Sequence, residues 1–325
     1  MQNTKAVQIG CGHYLPDNKF YNSDFDKKLN TSDDWITART GIKARHFANE
    51  KEKTSDLAIA AGKMALSETN IKPNAIDAII VATSTPDQTF PSTATRVQFG
   101  LGMTTGYAFD IQAVCTGFIY ALANANSLIC SGQAKRVMVI GAEIFSRILD
   151  WTDRSTCVLF GDGAGAIILE ARNYTNNKSN RGILATDLHS DGKYNNLLYV
   201  DGGVSTTRTS GVLHMEGKEI FKHAIDKLTN TSENCLKMAN LAKEDISWMV
   251  PHQANLRIIK NTARRLGISM NRVILTLNQH GNTSAASIPL ALSCSNQQNK
   301  FKTDDILIME AIGGGLTWGS VVIRW

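Results

Sequence analysis

The sequence predicts a layered α/β fold that contains two copies of one structural unit. Its predicted strands are short and almost continuously apolar, which is typical of strands covered by helices on both faces. Residues 216–228 are predicted as a helix, because apolar side chains recur there at helical spacing. The third observation is an internal repeat, in which a helix end, a turn and a strand recur in the second half of the chain.

The repeat is visible in two pairs of segments. Residues 70–81 align without a gap with residues 240–251, at an offset of 240 − 70 = 170. Residues 137–142 resemble residues 306–311, at an offset of 306 − 137 = 169. Each pair is weak alone because its identity is low, but together they favour a duplicated α/β unit.

Length and composition bound the rest of the prediction. A chain of 325 residues with 43% hydrophobic content can form one large core or two medium ones, and we expect halves at residues 1–172 and 173–325, linked by the polar residues 173–180. A net charge of +5, without a stripe of interleaved aromatic and basic residues, does not predict nucleic-acid binding. No basic leader and no apolar run near the roughly 18 residues of a membrane span are present, so we expect a cytoplasmic protein without membrane association.

The cysteines predict reduced thiols rather than a metal centre or a disulfide framework. None of the six forms a C-x-x-C pair, and the five other than Cys115 have apolar or variable-looking neighbours. The other five are expected to be small packed residues. They are Cys11, Cys130, Cys157, Cys235 and Cys294.

Cys115 is the candidate nucleophile. Residues 107–111 are predicted as a strand and the chain from Thr116 onward as a helix, which places Cys115 at a strand-to-helix turn. Unpaired backbone N–H groups and the helix dipole favour a thiolate there, so we expect a thiol pKa below the usual value of about 8.5. A buried small hydrophobic residue is the alternative for any intracellular cysteine.

His252 and Asn282 complete the predicted site. His252 follows an apolar strand, and ligands of α/β sheets bind at the carboxyl ends of strands. Asn282 follows Gly281 and precedes a run of small residues, which lets an amide approach a ligand. A neutral imidazole and an amide can both donate to an oxyanion, as thioester chemistry requires. A structural histidine and a turn asparagine remain alternatives, and His280 is a weaker candidate.

Seven segments of this chain resemble those of the β-ketoacyl-acyl-carrier-protein synthase III family, in the same order. Three of them, AVCTGF, PHQAN and GNTSAAS, carry Cys115, His252 and Asn282 at the family's catalytic positions. The other four lie at residues 31–36, 39–42, 160–165 and 313–320. The resemblance implies a thiolase-like fold, with two duplicated halves in an α-β-α-β-α arrangement.

The resemblance also implies the reaction and its partners. An acyl-CoA, with acetyl-CoA as the expected primer, would acylate Cys115, with the oxyanion held by the backbone N–H groups of Cys115 and Gly314. Decarboxylative condensation with malonyl-acyl carrier protein would then give 3-ketoacyl-acyl carrier protein, CoA and CO₂. Neutral His252 and Asn282 would stabilise the enolate, and no metal or other cofactor would be needed. The enzyme would be a homodimer.

Further residues match binding positions of the family. Coenzyme A would contact Trp35, Arg39, Arg154 and Asn255. The acyl pocket would be formed by Leu159, Phe160 and Phe221, and by Phe90 reaching across the dimer interface; such bulky walls predict a short primer. Solvated charges for the arginines and ordinary core packing for Phe90 remain alternatives.

A basic helical face follows the catalytic histidine. Arg257, Lys260 and Arg264 recur at spacings of three and four residues, so they share one side of a helix. Acyl carrier protein is acidic, and such a face would steer it to the pocket mouth. An ordinary solvated helix face is the alternative.

Other functions are less consistent with the sequence. Thiolases use a second cysteine near the C-terminus, where this chain has three glycines at residues 313–315, and elongating ketosynthases use two histidines. A papain-like protease would need a cysteine signature that is absent. The remaining alternatives are a related condensing enzyme or acyltransferase of specialised metabolism and a non-catalytic scaffold that binds CoA or carrier protein.

Overall fold

A computed structural model describes residues 4–25, 27–174 and 181–325. Most of the strands form two sheets, and most of the helices cover these sheets. Their order is β1 (Thr4–Tyr14), β2 (Asn18–Tyr21), α1 (Asp33–Thr40), β3 (Ala44–Phe47), α2 (Thr54–Thr69), β4 (Ala78–Ala82), α3 (Thr93–Gly100), β5 (Tyr107–Ile111), α4 (Gly117–Cys130), β6 (Arg136–Glu143), β7 (Gly163–Asn173), β8 (Gly182–Ser190), β9 (Leu198–Val200), β10 (Leu213–Met215), α5 (Gly217–Met238), β11 (Trp248–Pro251), α6 (Leu256–Leu266), α7 (Leu277–His280), α8 (Ser287–Gln297), β12 (Ile306–Gly313) and β13 (Thr317–Arg324).

Two mixed sheets organise these elements. The first has the strand order β1-β7-β6-β4-β5, in which β4 runs parallel to β5 and β6, and β7 runs antiparallel to β1 and β6. The second has the order β11-β12-β13-β8, in which β11 and β12 are parallel and the other neighbours are antiparallel. Short ribbons pair β2 with β3 and β9 with β10.

The buried clusters reveal five layers. Helices α4 and α8 share one cluster with both sheets, so they form the central layer. Helices α2 and α3 cover the other face of the first sheet, and α5 and α6 cover the other face of the second. Within β4, Ile80 faces the central helices while Ile79 and Val81 face the outer ones, which explains the continuous apolar run. The predicted α-β-α-β-α arrangement is confirmed.

The internal repeat is confirmed in its backbone detail. After α2 and after α5, an asparagine in the left-handed region ends the helix, with φ of 56° at Asn70 and 54° at Asn240. Val114 and Ser284, also 170 positions apart, have φ of 48° and 49° and each begins a single turn of 3-10 helix. The segment of Cys115 and the segment after Asn282 are therefore equivalent parts of the two repeats.

The chain passes from the first sheet to the second between Asn173 and Gly182. Most of the predicted linker, residues 175–180, lies outside the described residues. The division into domains at residues 172 and 173 stays a prediction. Within the described ranges, no helix combines the length and the apolar character needed to cross a membrane.

Candidate active site

Cys115 lies at the turn between β5 and α4, as the sequence predicts. A single 3-10 turn spans Val114–Thr116, and α4 begins at Gly117. Cys115 is buried, with 4% of its surface exposed. A Cβ atom at Gly117 would lie 3.2 Å from the Cβ atom of Ala82, so a small residue lets this turn pack closely on the first sheet.

The prediction of a lowered thiol pKa for Cys115 is wrong. The helix start favours a thiolate, but removal of the thiol from water disfavours the charged form more strongly. Burial raises the pKa of the Cys115 thiol to about 12; a hydrogen bond with the Ser284 hydroxyl opposes this rise, and the charge of Glu143 adds to it. At neutral pH the thiol is therefore protonated and requires a proton acceptor before it can attack a thioester.

His252 follows the last residue of β11, at the carboxyl end of the second sheet. Its backbone N–H donates to the carbonyl of Glu310 on β12, at 2.8 Å. The side chain is 5% exposed, and burial lowers the pKa of the imidazole to about 3. The expectation of a neutral imidazole at physiological pH is confirmed. Its Nδ1 atom lies 2.6 Å from the Ser287 hydroxyl oxygen.

Asn282 is held by backbone bonds to the chain that carries the predicted acyl-pocket residues. Its N–H donates to the carbonyl of Leu159 at 2.9 Å, and its carbonyl accepts from Gly161 at 3.0 Å. The side-chain Oδ1 atom accepts the backbone N–H of Ser284 at 3.0 Å. Because that bond engages the oxygen, the amide nitrogen is the atom that can donate to a ligand.

One short segment, residues 282–287, connects the three predicted catalytic residues. The backbone N–H of Ser284 donates to Oδ1 of Asn282, and the Ser284 hydroxyl lowers the pKa of the Cys115 thiol. Ser287, three residues later, bonds to His252. The 3-10 turn that contains Cys115 packs directly against the turn Ser284–Ala286. The structure thus brings the three side chains, which come from both repeats, into one buried region.

Gly313, the last residue of β12, and Gly314 approach the Cys115 turn closely. A Cβ atom at Gly313 would lie 2.7 Å from the backbone nitrogen of Cys115. At Gly314 it would lie 2.7 Å from the carbonyl oxygen of Leu198 and 3.4 Å from the Val114 side chain. Only glycine fits such distances without displacing the backbone, so these residues leave room beside the Cys115 N–H group.

The four residues predicted to bind CoA form one group near the start of α6. The guanidinium carbons of Arg39 and Arg154 lie 4.4 and 5.0 Å from the centre of the Trp35 ring. Asn255 caps α6 and donates to the carbonyl of Arg39 at 3.1 Å. Since Asn255 is three residues after His252, this group lies along the chain that leads to the candidate site.

The predicted basic face is exposed on α6. Arg257, Lys260 and Arg264 are all exposed, and Arg257 lies over the Phe221 ring, with its guanidinium carbon 5.4 Å from the ring centre. Arg264 donates to Asn261 at 2.9 Å. Phe221 thus contacts the basic face, although the sequence assigned it to the acyl pocket.

The other predicted acyl-pocket residues have different environments. Phe160 is fully buried and stacks on Phe145, with ring centres 4.9 Å apart. Leu159 packs partly buried beside the same cluster. Phe90 is 80% exposed, which excludes core packing within a single chain.

A cavity of about 1130 Å³ lies beside the Cys115 turn, and Val114 and Phe145 contribute to its wall. Thr85, Gln88, Leu198 and residues 208–210 line other parts of it. None of the residues predicted for the acyl pocket is in this lining. The assignment of the acyl pocket therefore stays a prediction.

Sequence reasoning missed three polar residues around the predicted trio. Ser284 and Ser287 bond to Asn282 and His252, and Glu143 bonds to Ser284. Ser284 and Ser287 lie in the GNTSAAS segment, so their small hydroxyl side chains beside Asn282 were a usable signal. Glu143 ends a buried strand, and a carboxylate at that edge of a sheet was a second signal. Among the described residues, no group of three or more His, Cys, Asp and Glu side chains could hold a metal ion.

Two family models match the two parts of the chain that contain the predicted catalytic residues. A family model described as 3-oxoacyl-[acyl-carrier-protein] synthase III matches residues 109–192, which include Cys115. The model of the C-terminal part of the same family matches residues 236–325, which include His252 and Asn282.

Full-length relatives agree with the family models. The chain is 61% identical over 321 residues to β-ketoacyl-[acyl-carrier-protein] synthase III of Rhodobacter capsulatus, and 60% identical over 323 residues to that of Jannaschia sp. strain CCS1, with 99% of each chain covered. The crystal structure of 3-oxoacyl-[acyl-carrier-protein] synthase III from Aquifex aeolicus is 46% identical, with a TM-score of 0.92 over 98% of this chain and 100% of that one. The chain therefore belongs to the β-ketoacyl-acyl-carrier-protein synthase III family and is a condensing acyltransferase that initiates fatty acid synthesis.

Proposed function

We propose that this chain transfers an acyl group from a short acyl-CoA to Cys115 and then condenses it with malonyl-acyl carrier protein. The products are 3-ketoacyl-acyl carrier protein, CoA and CO₂. The observation that carries this proposal is the segment of residues 282–287, which contains Asn282, bonds to His252 through Ser287 and packs against the turn of Cys115.

In the first half-reaction, the Cys115 sulfur attacks the thioester carbonyl. The backbone N–H groups of Cys115 and Gly314 hold the oxyanion of the tetrahedral intermediate. The absence of side chains at Gly313 and Gly314 supports this role, because a Cβ atom at Gly313 would crowd the Cys115 nitrogen.

In the second half-reaction, malonyl-acyl carrier protein loses CO₂, and the resulting enolate attacks the acyl-Cys115 carbonyl. His252 and Asn282 donate hydrogen bonds to the enolate oxygen. The burial that keeps His252 neutral supports this role, since a neutral imidazole can donate without carrying a charge into a dry site. The proposed chemistry needs no metal, flavin or nicotinamide.

The nucleotide of CoA stacks at Trp35, and Arg39 and Arg154 hold its phosphates. Their convergence on one indole ring supports this assignment, because a flat ring and two planar cations suit a purine and its phosphates. Asn255 positions Arg39 and contacts the pantetheine arm. The carrier protein docks on Arg257, Lys260 and Arg264, whose exposure on one helix suits an acidic partner.

The enzyme is a homodimer joined at the edge of the first sheet. The exposed aromatic residues Phe90, Phe99 and Tyr107 lie on or near the edge strand β5, and Phe99 is 87% exposed. An edge strand with exposed aromatic neighbours is suited to pairing with a second copy. Phe90 then enters the acyl pocket of the partner, which Leu159, Phe160 and Phe221 complete.

The enzyme acts in the cytoplasm, where acyl carrier protein and reduced thiols occur together.

Incubation with acetyl-CoA, followed by mass spectrometry of the digested protein, tests the proposal. We expect one acetyl group on the peptide of Cys115, and none on the Cys115→Ser variant. Subsequent addition of malonyl-acyl carrier protein should release the acetyl group as 3-ketobutyryl-acyl carrier protein. A protein that binds CoA without becoming acetylated would be a scaffold, and a condensed product on another acceptor would indicate specialised metabolism.

A further inference from the structure

Two backbone N–H groups are free where the two repeats meet beside the nucleophile. In the part of the chain that the structure describes, neither the Cys115 nitrogen nor the Gly314 nitrogen donates a hydrogen bond. One belongs to the 3-10 turn Val114–Thr116, and the other to the turn of residues 314–316 that joins β12 to β13. The proposed reaction places an oxyanion on both donors, so each must lie about 3 Å from the same oxygen. The two turns must therefore be held in one fixed arrangement.

The hydroxyl of Thr317, the first residue of β13, lies between the two turns. Its Oγ1 atom is 3.0 Å from the carbonyl oxygen of Ala113, which directly precedes the turn of Cys115. The same atom is 3.1 Å from the carbonyl oxygen of Gly314. Because a hydroxyl has one proton, the two carbonyls share it. One side chain thus joins both turns, although they come from different repeats.

Thr116 adds a second link between the same turns. Its hydroxyl donates to the carbonyl of Thr317 at 3.0 Å, and the two hydroxyl oxygens are 3.2 Å apart. Thr116 has no exposed surface, so water does not compete for these bonds. The carbonyl of Ala113 also accepts the backbone N–H of Thr116 at 3.0 Å, which closes the 3-10 turn. The network therefore fixes the shape of one turn and its position against the other.

The turn that carries Gly314 has few other anchors. The ladder between β12 and β13 ends at the pair of Gly313 and Thr317, and residues 314–316 lie beyond it. Two of these three residues are glycine, whose backbone is the least restricted of all residues. Leu316 holds the far end, because its side chain is fully buried and its carbonyl accepts the N–H of Asp191 at 2.9 Å. The near end, which carries the free N–H group, depends on the Thr317 hydroxyl.

We propose that Thr317 is a positioning residue that aligns the N–H groups of Cys115 and Gly314 toward one oxyanion. The inference rests on the proposed function and deepens it. Thr317 acts through the backbone, because its hydroxyl proton is engaged with carbonyls of the protein. Removal of the hydroxyl leaves both N–H groups present but frees the turn of Gly314 to shift against the turn of Cys115.

The alignment of these donors matters at two of the three chemical steps. An oxyanion forms when Cys115 attacks acyl-CoA, and a second forms when the enolate attacks acyl-Cys115. The loss of CO₂ precedes the second oxyanion, and its developing charge is held by His252 and Asn282 instead. An enolate that fails to attack takes a proton from solvent and becomes acetyl-acyl carrier protein. Misaligned donors should therefore slow acylation and divert the enolate, while the release of CO₂ continues.

Thr317→Val tests this role, because valine keeps the β-branched shape and replaces the hydroxyl with a methyl group. At saturating acetyl-CoA, acetylation of Cys115 should be about tenfold slower, which is less than the 10²–10³-fold cost of losing one oxyanion donor outright. The acetyl-CoA concentration that gives the half-maximal rate should be unchanged. Single turnovers of the acetylated protein with malonyl-acyl carrier protein give the second measurement. The ratio of acetyl- to 3-ketobutyryl-acyl carrier protein should rise about tenfold.

Thr317→Ser and Thr229→Val are the matched controls. Serine restores the hydroxyl at position 317 and should return the acetylation rate and the product ratio to within about twofold of the wild-type values. Thr229 is buried, and its hydroxyl also donates to a carbonyl, that of Ile225, at 2.7 Å, but within α5 rather than across two turns. Thr229→Val should keep both wild-type values. General destabilisation lowers the fraction of active protein and leaves the product ratio unchanged, so this ratio separates alignment from stability.

The product ratio decides the proposal. An unchanged ratio in a folded Thr317→Val variant would overturn it, as would an equal rise in Thr229→Val or a failure of Thr317→Ser to restore the ratio. If Thr317→Val does not fold, Thr116→Val decides by the same ratio, because it removes the second link between the turns. A wild-type protein that acetyl-CoA does not acetylate would instead overturn the proposed function.

Discussion

The hydroxyl oxygen of Ser287 lies 2.6 Å from Nδ1 of His252 and 3.4 Å from the backbone nitrogen of Gln253. The Gln253 N–H donates to this oxygen, so the serine proton can point to Nδ1. A neutral imidazole that accepts at Nδ1 carries its proton on Nε2. The bond is therefore compatible with the tautomer that can donate to an enolate.

Ser287→Ala should slow the release of CO₂ from malonyl-acyl carrier protein while Cys115 is still acylated at the wild-type rate. The loss of one neutral hydrogen bond of about 1 kcal/mol corresponds to roughly a fivefold decrease in the condensation rate. Single-turnover measurements of each half-reaction check this. Equal slowing of both halves would show that Ser287 supports the whole site rather than the imidazole.

Asn282→Ala should permit acylation of Cys115 and decrease condensation by about 10²-fold or more, because one donor to the enolate oxygen is lost. Asn282→Asp is the matched variant: it keeps the oxygen that accepts from Ser284 and replaces the donating NH₂ group with a carboxylate oxygen. Both variants should form the acyl-enzyme by mass spectrometry. Absence of the acyl-enzyme in a folded variant would contradict the separation of roles.

Gly313→Ala should decrease acylation of Cys115 and lower the free energy of unfolding by about 1–3 kcal/mol. The added Cβ atom would lie 2.7 Å from the Cys115 nitrogen, so either the turn or β12 must move. Gly192→Ala is the control, because a Cβ atom there has no heavy atom within 4 Å. Denaturant unfolding and acylation rates should separate the two variants.

Trp35→Ala should raise KM for acetyl-CoA about tenfold, since stacking of a base on an aromatic ring contributes roughly 1–3 kcal/mol. The control is the substrate: acetyl-pantetheine lacks the nucleotide, so its kcat/KM should be unchanged. Equal losses with both primers would place Trp35 in the support of the fold rather than in nucleotide binding.

The sequence predicts local features of the site better than its electrostatics. The position of Cys115 follows from neighbouring residues, namely an apolar strand and then small helical residues, and it is confirmed. Its pKa depends on burial and on Ser284 and Glu143, which meet across 141 positions of sequence. A helix start alone predicts the wrong direction because it contains no information about desolvation. The bond between His252 and Ser287 likewise requires the packing of α8 beside β11.

Glu310 gives the protein a pH-dependent stability near neutrality. Its side chain is 1% exposed, its Oε2 atom has no hydrogen-bond partner among the described residues, and burial raises the carboxyl pKa to about 8. Between its unfolded and folded pKa values, the folded state binds more protons than the unfolded state. The free energy of unfolding therefore falls as pH rises toward 8, and the decrease ends above it.

Between pH 7 and 8 the wild-type protein should lose about 1 kcal/mol of unfolding free energy, which is below the limit of about 1.4 kcal/mol for one proton per pH unit. In this window His252 and His280 are already neutral, and Glu143, with a pKa of about 7, completes its titration and contributes a smaller decrease of the same sign. Glu310→Gln should remove most of the decrease and leave the smaller part that Glu143 contributes, whereas replacement of the exposed Glu244 by Gln should preserve it. Urea unfolding at each pH provides the measurement, and a decrease of undiminished size in Glu310→Gln would assign it to another group.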